Sequence, residues 1–230
     1  MIKHHPTFEL LQSFVNGDLP ASLSAGIAIH ADMCQECQRQ ISQLTDQIAE
    51  ANFEFEANFL DRFIIDEEKD LDEIATIDFD DMIAGITASD EIAVLKEKED
   101  KFISFNDTNY KLPDALHNMA FGKPAQIGKL SRTRIQLDED EIHSSLLHIK
   151  PGGGVPEHTH KGFELTLLLD GSFEDEQGTY VKGDFIMLNS EHQHHPVSEH
   201  GCLCYTVAND ALHFTKGINK LLNPIGSFIY

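Results

Sequence analysis

"PGGGVPEHTHKGFELTLLLDGSF", Pro151 to Phe173, decides the fold of the larger part of the chain. Turn residues crowd its start, and its apolar run closes on Asp-Gly. His158 and His160 are two apart, so on an extended strand they face the same way. Glu164, four further on, keeps that parity. Two imidazoles and a carboxylate on one strand face suit zinc, iron, manganese or nickel. A histidine from a distant strand completes the set if two strands pair across a jelly roll. "GDFIMLNSEHQHHPV", Gly183 to Val197, offers His192, His194 and His195 for that place, and spacing does not choose among them. Histidines of a surface loop are the competing explanation.

Outward from this stretch the pattern stays β-rich. "HSSLLHI", "FELTLLL", "DFIML" and "CLCYTVA" read as strands, and "KPGGG", "LDGSF", "DEQGTY" and "VKGD" as turns between them. Many short strands at regular spacing make a sandwich or small barrel from about residue 100 onward. Cys202 and Cys204 stand two apart on one strand. They read as ligands, as oxidant-sensitive thiols, or as apolar strand residues. His117, His143, His148, His200 and His213 lie outside the cluster and read as surface or packed histidines.

The first 50 residues have helical period instead. "PTFELLQSFVNG" puts Phe8, Leu11 and Val15 on one face and stops at Gly17. "LPASLSAGIAIHADMC" carries Leu23, Ile27, His30 and Cys34 at 4-3-4 spacing, with Pro20 suited to its first turn. "CQECQRQISQLTDQIAEA" continues as a third helix. His30, Cys34 and Cys37 stand at i, i+4 and i+7, close on one helical face. Thiolates and imidazoles favour tetrahedral zinc, and His4 or His5 could supply the fourth ligand. Three short helices bury little, so a structural zinc would couple metal binding to their folding. A chance CxxC, or a redox pair, is the alternative.

Between these parts lies an acidic block. Residues 51–100 hold seventeen Asp and Glu against four Lys and Arg, a net of −13 out of −22 for the chain. Such a chain will not bind nucleic acid through its phosphates, and a basic protein surface is the better partner. "IDFDDMIAGITASDEIAVL" places Phe79, Met82, Ile83 and Ile86 on one helical stripe, either a docking face or a face packed on its own domain. "DRFIIDEEKDLDE" before it reads as a flexible linker. With no apolar leader and no run of about 18 apolar residues, the protein is expected to be soluble and cytoplasmic.

The combination H…HxxxCxxC followed by HxHxxxE resembles the ChrR family of zinc-binding anti-sigma factors. The likeness covers nearly the whole chain, and the long acidic middle departs from the family. It implies an α+β multidomain protein, with a helical zinc-binding bundle over 1–96 and an all-β cupin, a jelly-roll barrel, over 97–230. It implies His5, His30, Cys34 and Cys37 as the first ligand set. It implies His158, His160, Glu164 and His194 as the second, holding zinc or another divalent metal. The resemblance further implies a non-enzyme. The helical domain would sequester an extracytoplasmic-function sigma factor from core RNA polymerase, the stripe of Phe79, Met82, Ile83 and Ile86 would dock it, and the cupin would trigger release on singlet oxygen or organic hydroperoxide. The rival expectation is a cupin metalloenzyme of the dioxygenase kind, carrying a zinc module.

Overall fold

The computed structural model describes residues 1–64, 79–88, 99–106, 108–210 and 213–214. By packing, residues 1–45 join residues 101–230 in one compact unit, and 46–100 make a second.

In the first unit, α1 (Phe8–Asn16) starts where Thr7 accepts the Leu10 N–H, and ends at Gly17 in the left-handed region (φ 77°). The N–H groups of Gly17 and Asp18 return to Phe14 and Ser13, closing the last turn. α2 (Ala21–Met33) follows Pro20, which stands just ahead of the helix and not within its first turn. Leu23, Ile27 and His30 are buried, and so are Ala25, Gly26 and Ile29 on another side. A helix apolar on more than one face needs cover on more than one face. α1, a β-sheet and a short 3-10 turn (Asp114–Leu116) supply it. Cys34 is extended (φ −122°) and separates α2 from α3 (Gln35–Ile64). The i, i+4, i+7 residues therefore sit across a break and not on one straight helix.

The strands are β1 (Phe102–Phe105), β2 (Thr108–Lys111), β3 (Ala120–Phe121), β4 (Ala125–Ile127), β5 (Leu130–Gln136), β6 (His143–Ile149), β7 (Gly153–Gly154), β8 (His158–Thr159), β9 (Glu164–Asp175), β10 (Gly178–Val181), β11 (Phe185–Leu188), β12 (Gln193–His194), β13 (Val197–Ser198), β14 (Cys202–Ala208) and β15 (His213–Phe214). The main sheet runs β3-β5-β6-β14-β9-β13-β7, with β10 and β11 also on β9. A smaller sheet pairs β12 and β15 with β8. All recorded pairings are antiparallel. "LDGSF" is not a turn: β9 runs through it. Gly171 bends there in the left-handed region (φ 75°), and a Cβ would lie 2.2 Å from the Gly201 carbonyl oxygen. The crossing chain excludes any side chain at that point.

Alternation on the central strands divides two cores. Leu165, Leu167, Leu203, Tyr205 and Val207 join Leu11, Ile27 and Ile29 in one. Leu168, Phe173, Cys202 and Cys204 join Ile149, Val155 and Tyr180 in the other. Each fully buried large aliphatic contributes roughly 1.5–3 kcal/mol. At the helix–sheet contact, the Tyr205 hydroxyl donates to the Ser22 carbonyl (2.7 Å), and a Glu139 oxygen accepts the Ser22 N–H (3.0 Å). A Cβ on Gly26 would lie 2.7 Å from Leu165 Cδ2 and 3.3 Å from Tyr205 Cε1. Gly26→Val is therefore expected to cost about 1–3 kcal/mol through overpacking. Urea unfolding checks this, and a midpoint equal to wild type would show that α2 lifts off freely.

In the second unit, α3 continues to Ile64, so Asp61–Ile64 of the expected linker is helical, while residues 65–73 lie outside the described residues. α4 (Phe79–Thr87) forms where the apolar stripe was read. Ile83 and Ile86, one turn apart, are 55% and 69% exposed. The side chains of Phe79 and Met82 lie outside the described residues.

Candidate metal centres

His5, His30, Cys34 and Cys37 converge, with ligand atoms all within 4.8 Å of one another. They come from the chain start, the last turn of α2, the helix break and the first turn of α3. His30 Nε2 is 3.3 Å from Cys37 Sγ; His5 Nδ1 is 3.4 Å from Cys34 Sγ and 3.5 Å from Cys37 Sγ. His30 is fully buried, and its Nδ1 donates to the Gly183 carbonyl at 2.7 Å. That bond fixes the tautomer and leaves the Nε2 lone pair facing the cluster. His4 points elsewhere, its ring 4.9 Å from that of Tyr180. Burial, and then the neighbouring Cys34, push the Cys37 thiol up to about 12. Two buried sulfurs side by side resist ionisation unless a cation joins them, and a divalent ion reverses that balance. Two sulfurs and two nitrogens in a closed group fit a four-coordinate structural ion.

The second group is His158, His160, Glu164 and His194, again within 4.8 Å. His158 lies on β8 and pairs with His194 on β12, while His160 follows β8 and Glu164 opens β9. The three ligands of HxHxxxE thus come from a strand, a connecting segment and a second strand, not from one continuous strand face. His194 Nε2 is 2.9 Å from His158 Nε2 and 3.2 Å from His160 Nε2. His158 Nδ1 donates to the Pro156 carbonyl (2.8 Å), so its Nε2 presents a lone pair. One His194 proton cannot serve both neighbours. Glu164 Oε2 lies 2.7 Å from His160 Nε2, yet that buried oxygen has no well-directed hydrogen bond. Lone pairs crowded this closely fit a bound cation. Burial holds His158 down at about 4, only partly offset by Glu164. Burial alone would raise Glu164; the three histidines, His160 first, hold it well below the usual carboxylate range. His158 thus keeps the neutral imidazole, and Glu164 the ionised carboxylate, that a metal needs.

His192 turns to Asn189 (Nδ1–Oδ1 2.8 Å) and His195 is exposed, so the structure brings His194 alone of that trio to the cluster. Spacing gave no sign of Asp175, whose Oδ2 lies 3.4 Å from His194 Nδ1 behind the ligand face. Asp175 also receives the Gln177 and Gly178 N–H groups of its hairpin turn, which is why the sequence shows it only as a turn residue. A cavity of about 50 Å³ adjoins the group, lined by Leu147, Ile149, Phe173, Thr166, Cys204 and Thr206 among others. This gives the second group an open side. Cys202 and Cys204 are both buried, and Cys204 reaches the cavity wall. Their mutual contact lowers the Cys202 thiol and raises that of Cys204. Neither belongs to a ligand group among the described residues.

Residues 128–211 match the family model of the ChrR cupin-like domain. The anti-sigma-E factor ChrR of Cereibacter sphaeroides is 27% identical over 230 residues, 97% of this chain and 97% of that protein. Among solved structures, a chain in the crystal structure of Rhodobacter sphaeroides SigE in complex with the anti-sigma ChrR aligns with a TM-score of 0.60. That alignment covers 90% of this chain and 99% of the other at 22% identity, and it shows a shared fold: N-terminal helices followed by a cupin-like β-domain.

Proposed function

We propose that this chain, a full-length relative of the ChrR family, is a zinc-binding anti-sigma factor. It holds an extracytoplasmic-function sigma factor away from core RNA polymerase. It releases that factor on an oxidative signal, singlet oxygen or organic hydroperoxide, sensed through the β-domain. The observation that carries this reading is identity spread over 97% of both chains with a protein named an anti-sigma factor.

The residues support a division of labour. Residues 1–96 bind the partner and 97–230 sense. His5, His30, Cys34 and Cys37 hold Zn²⁺ as a structural crosslink, since thiolate-rich closed sets select zinc. His158, His160, Glu164 and His194 hold Zn²⁺ or another divalent metal, with Cys202 and Cys204 as thiols open to oxidation. The acidic middle complements a basic protein, and the exposed Ile83 and Ile86 of α4, which share a sequence stripe with Phe79 and Met82, mark the docking segment. Among the described residues no helix is long and apolar enough to cross a membrane. A partner that works on RNA polymerase places the protein in the cytoplasm. It does no chemistry on a substrate; release needs only a signal that binds or alters one state in preference to the other.

The test is co-expression with the sigma factor encoded beside it, followed by co-purification and metal analysis. A stable complex carrying zinc, which inhibits transcription from the sigma-dependent promoter, is the expected result. A sigma factor that neither co-purifies nor is inhibited rejects the reading. Bound iron with turnover of a small substrate would move the protein to the cupin metalloenzymes.

A further inference from the structure

The chain start and the β-domain meet at one turn. Asp184 is fully buried between β10 and β11. Its Oδ1 accepts the N–H groups of Lys3 (2.7 Å) and His4 (3.1 Å), and its Oδ2 accepts that of Val181 (2.8 Å). The Phe185 N–H donates back to the His4 carbonyl at 3.0 Å. His5 is the next residue. The neighbouring Gly183 presents its carbonyl to His30 Nδ1. Gly183 lies in the left-handed region (φ 93°), and a Cβ there would be 2.5 Å from Ile2 Cδ1. Glycine suits this backbone conformation, and a side chain here would have to displace that of Ile2. The turn is itself clamped to β9: Gly183 N–H donates to the Leu168 carbonyl (2.8 Å), and Leu168 N–H to the Asp184 carbonyl (3.2 Å).

We infer that the β-domain turn Lys182–Asp184 is the outer shell of the His5/His30/Cys34/Cys37 site, with Asp184 as its positioning residue. Two of the four ligands are oriented by this turn: His30 directly through the Gly183 carbonyl, and His5 through the His4 backbone that Asp184 holds. The β-domain therefore sets how tightly the helical segment grips its metal. A carboxylate accepting backbone N–H groups makes the stronger, charge-assisted kind of hydrogen bond, so the chain start is held to the turn and not merely near it. The inference rests on the reading that these four residues hold zinc.

The experiment measures zinc affinity of the full-length chain by competition with a chromophoric chelator, together with the alkylation rate of Cys34 and Cys37. Asp184→Ala is expected to weaken zinc at this site by about 10–100-fold, the usual cost of losing an outer-shell partner, and to speed alkylation. Asp184→Asn keeps the size and one acceptor oxygen, and is expected to fall between. Ser198→Ala is the control for general destabilisation. It removes the buried Ser198 hydroxyl bond to the Ser172 carbonyl (2.6 Å) and should leave both readouts unchanged. If Asp184→Ala does not fold, Asp184→Asn decides on the same two readouts. Wild-type affinity and alkylation in the folded Asp184 variants overturn the inference, as does an equal loss in Ser198→Ala. A wild-type chain that holds no more zinc than Cys34→Ser marks instead the failure of the underlying zinc reading.

Discussion

Cys34→Ser is expected to remove one zinc per chain and to reduce sigma-factor binding by at least about 1,000-fold, equivalent to about 4 kcal/mol. The reason lies in how the site is assembled. Cys34 sits at the extended residue between α2 and α3, where both helices and the chain start meet. Serine offers neither a thiolate nor another usual zinc donor. Structural zinc in small domains contributes on the order of 10–16 kcal/mol near neutral pH. The structure also says where order should persist. Ile27 and Ile29 of α2 are buried in the core shared with the sheet, a contact that uses none of the four ligands. The loss should therefore fall on the chain start and on the α2–α3 junction, and hydrogen exchange would read it there. A variant that binds the sigma factor fully without zinc would sink the claim.

His158→Ala is expected to empty the other site and leave the partner's grip intact. Losing a direct ligand should weaken the metal by more than the 10–100-fold typical of an outer-shell partner. Its contact with His194 (2.9 Å) goes with it. The measurements are metal content, sigma-factor affinity and release on oxidant. Metal content should fall by one per chain, affinity should hold, and the oxidant response should be blunted. If sigma-factor binding collapsed as well, the proposed separation of grip and sensing would be wrong.

Much of this was legible because chemistry-bearing residues stood at periods that secondary structure imposes. β6 and β14 appear at the residues read as strands, since both are short β-rich runs set between turn residues. The ligand candidates His30, Cys34 and Cys37 stood out by their spacing, although the helical face they were read on breaks at Cys34. What stayed hidden depended on tertiary contact. Nothing local separates His5 from His4; the difference is that the backbone of His4 is tied to Asp184, which turns the next side chain inward. His194 is chosen over His192 and His195 by cross-strand register with His158. "LDGSF" has the composition of a turn, but Gly171 serves a crossing chain. Asp175 and Asp184 read as turn acids because they are turn acids, and their second role shows only once the turns are placed.

β9 carries one further consequence. Glu164 and Thr166 line the cavity beside the three histidines, while Leu165 and Leu167, between and beside them, lie in the core shared with α2. On the proposed function, signal input and output mechanics share a single ribbon of backbone, on its opposite sides. A substitution on this strand cannot adjust one without bearing on the other. The two would have to drift together over evolutionary time, and grafting a new sensing chemistry into this protein would mean redesigning the seat of α2 as well.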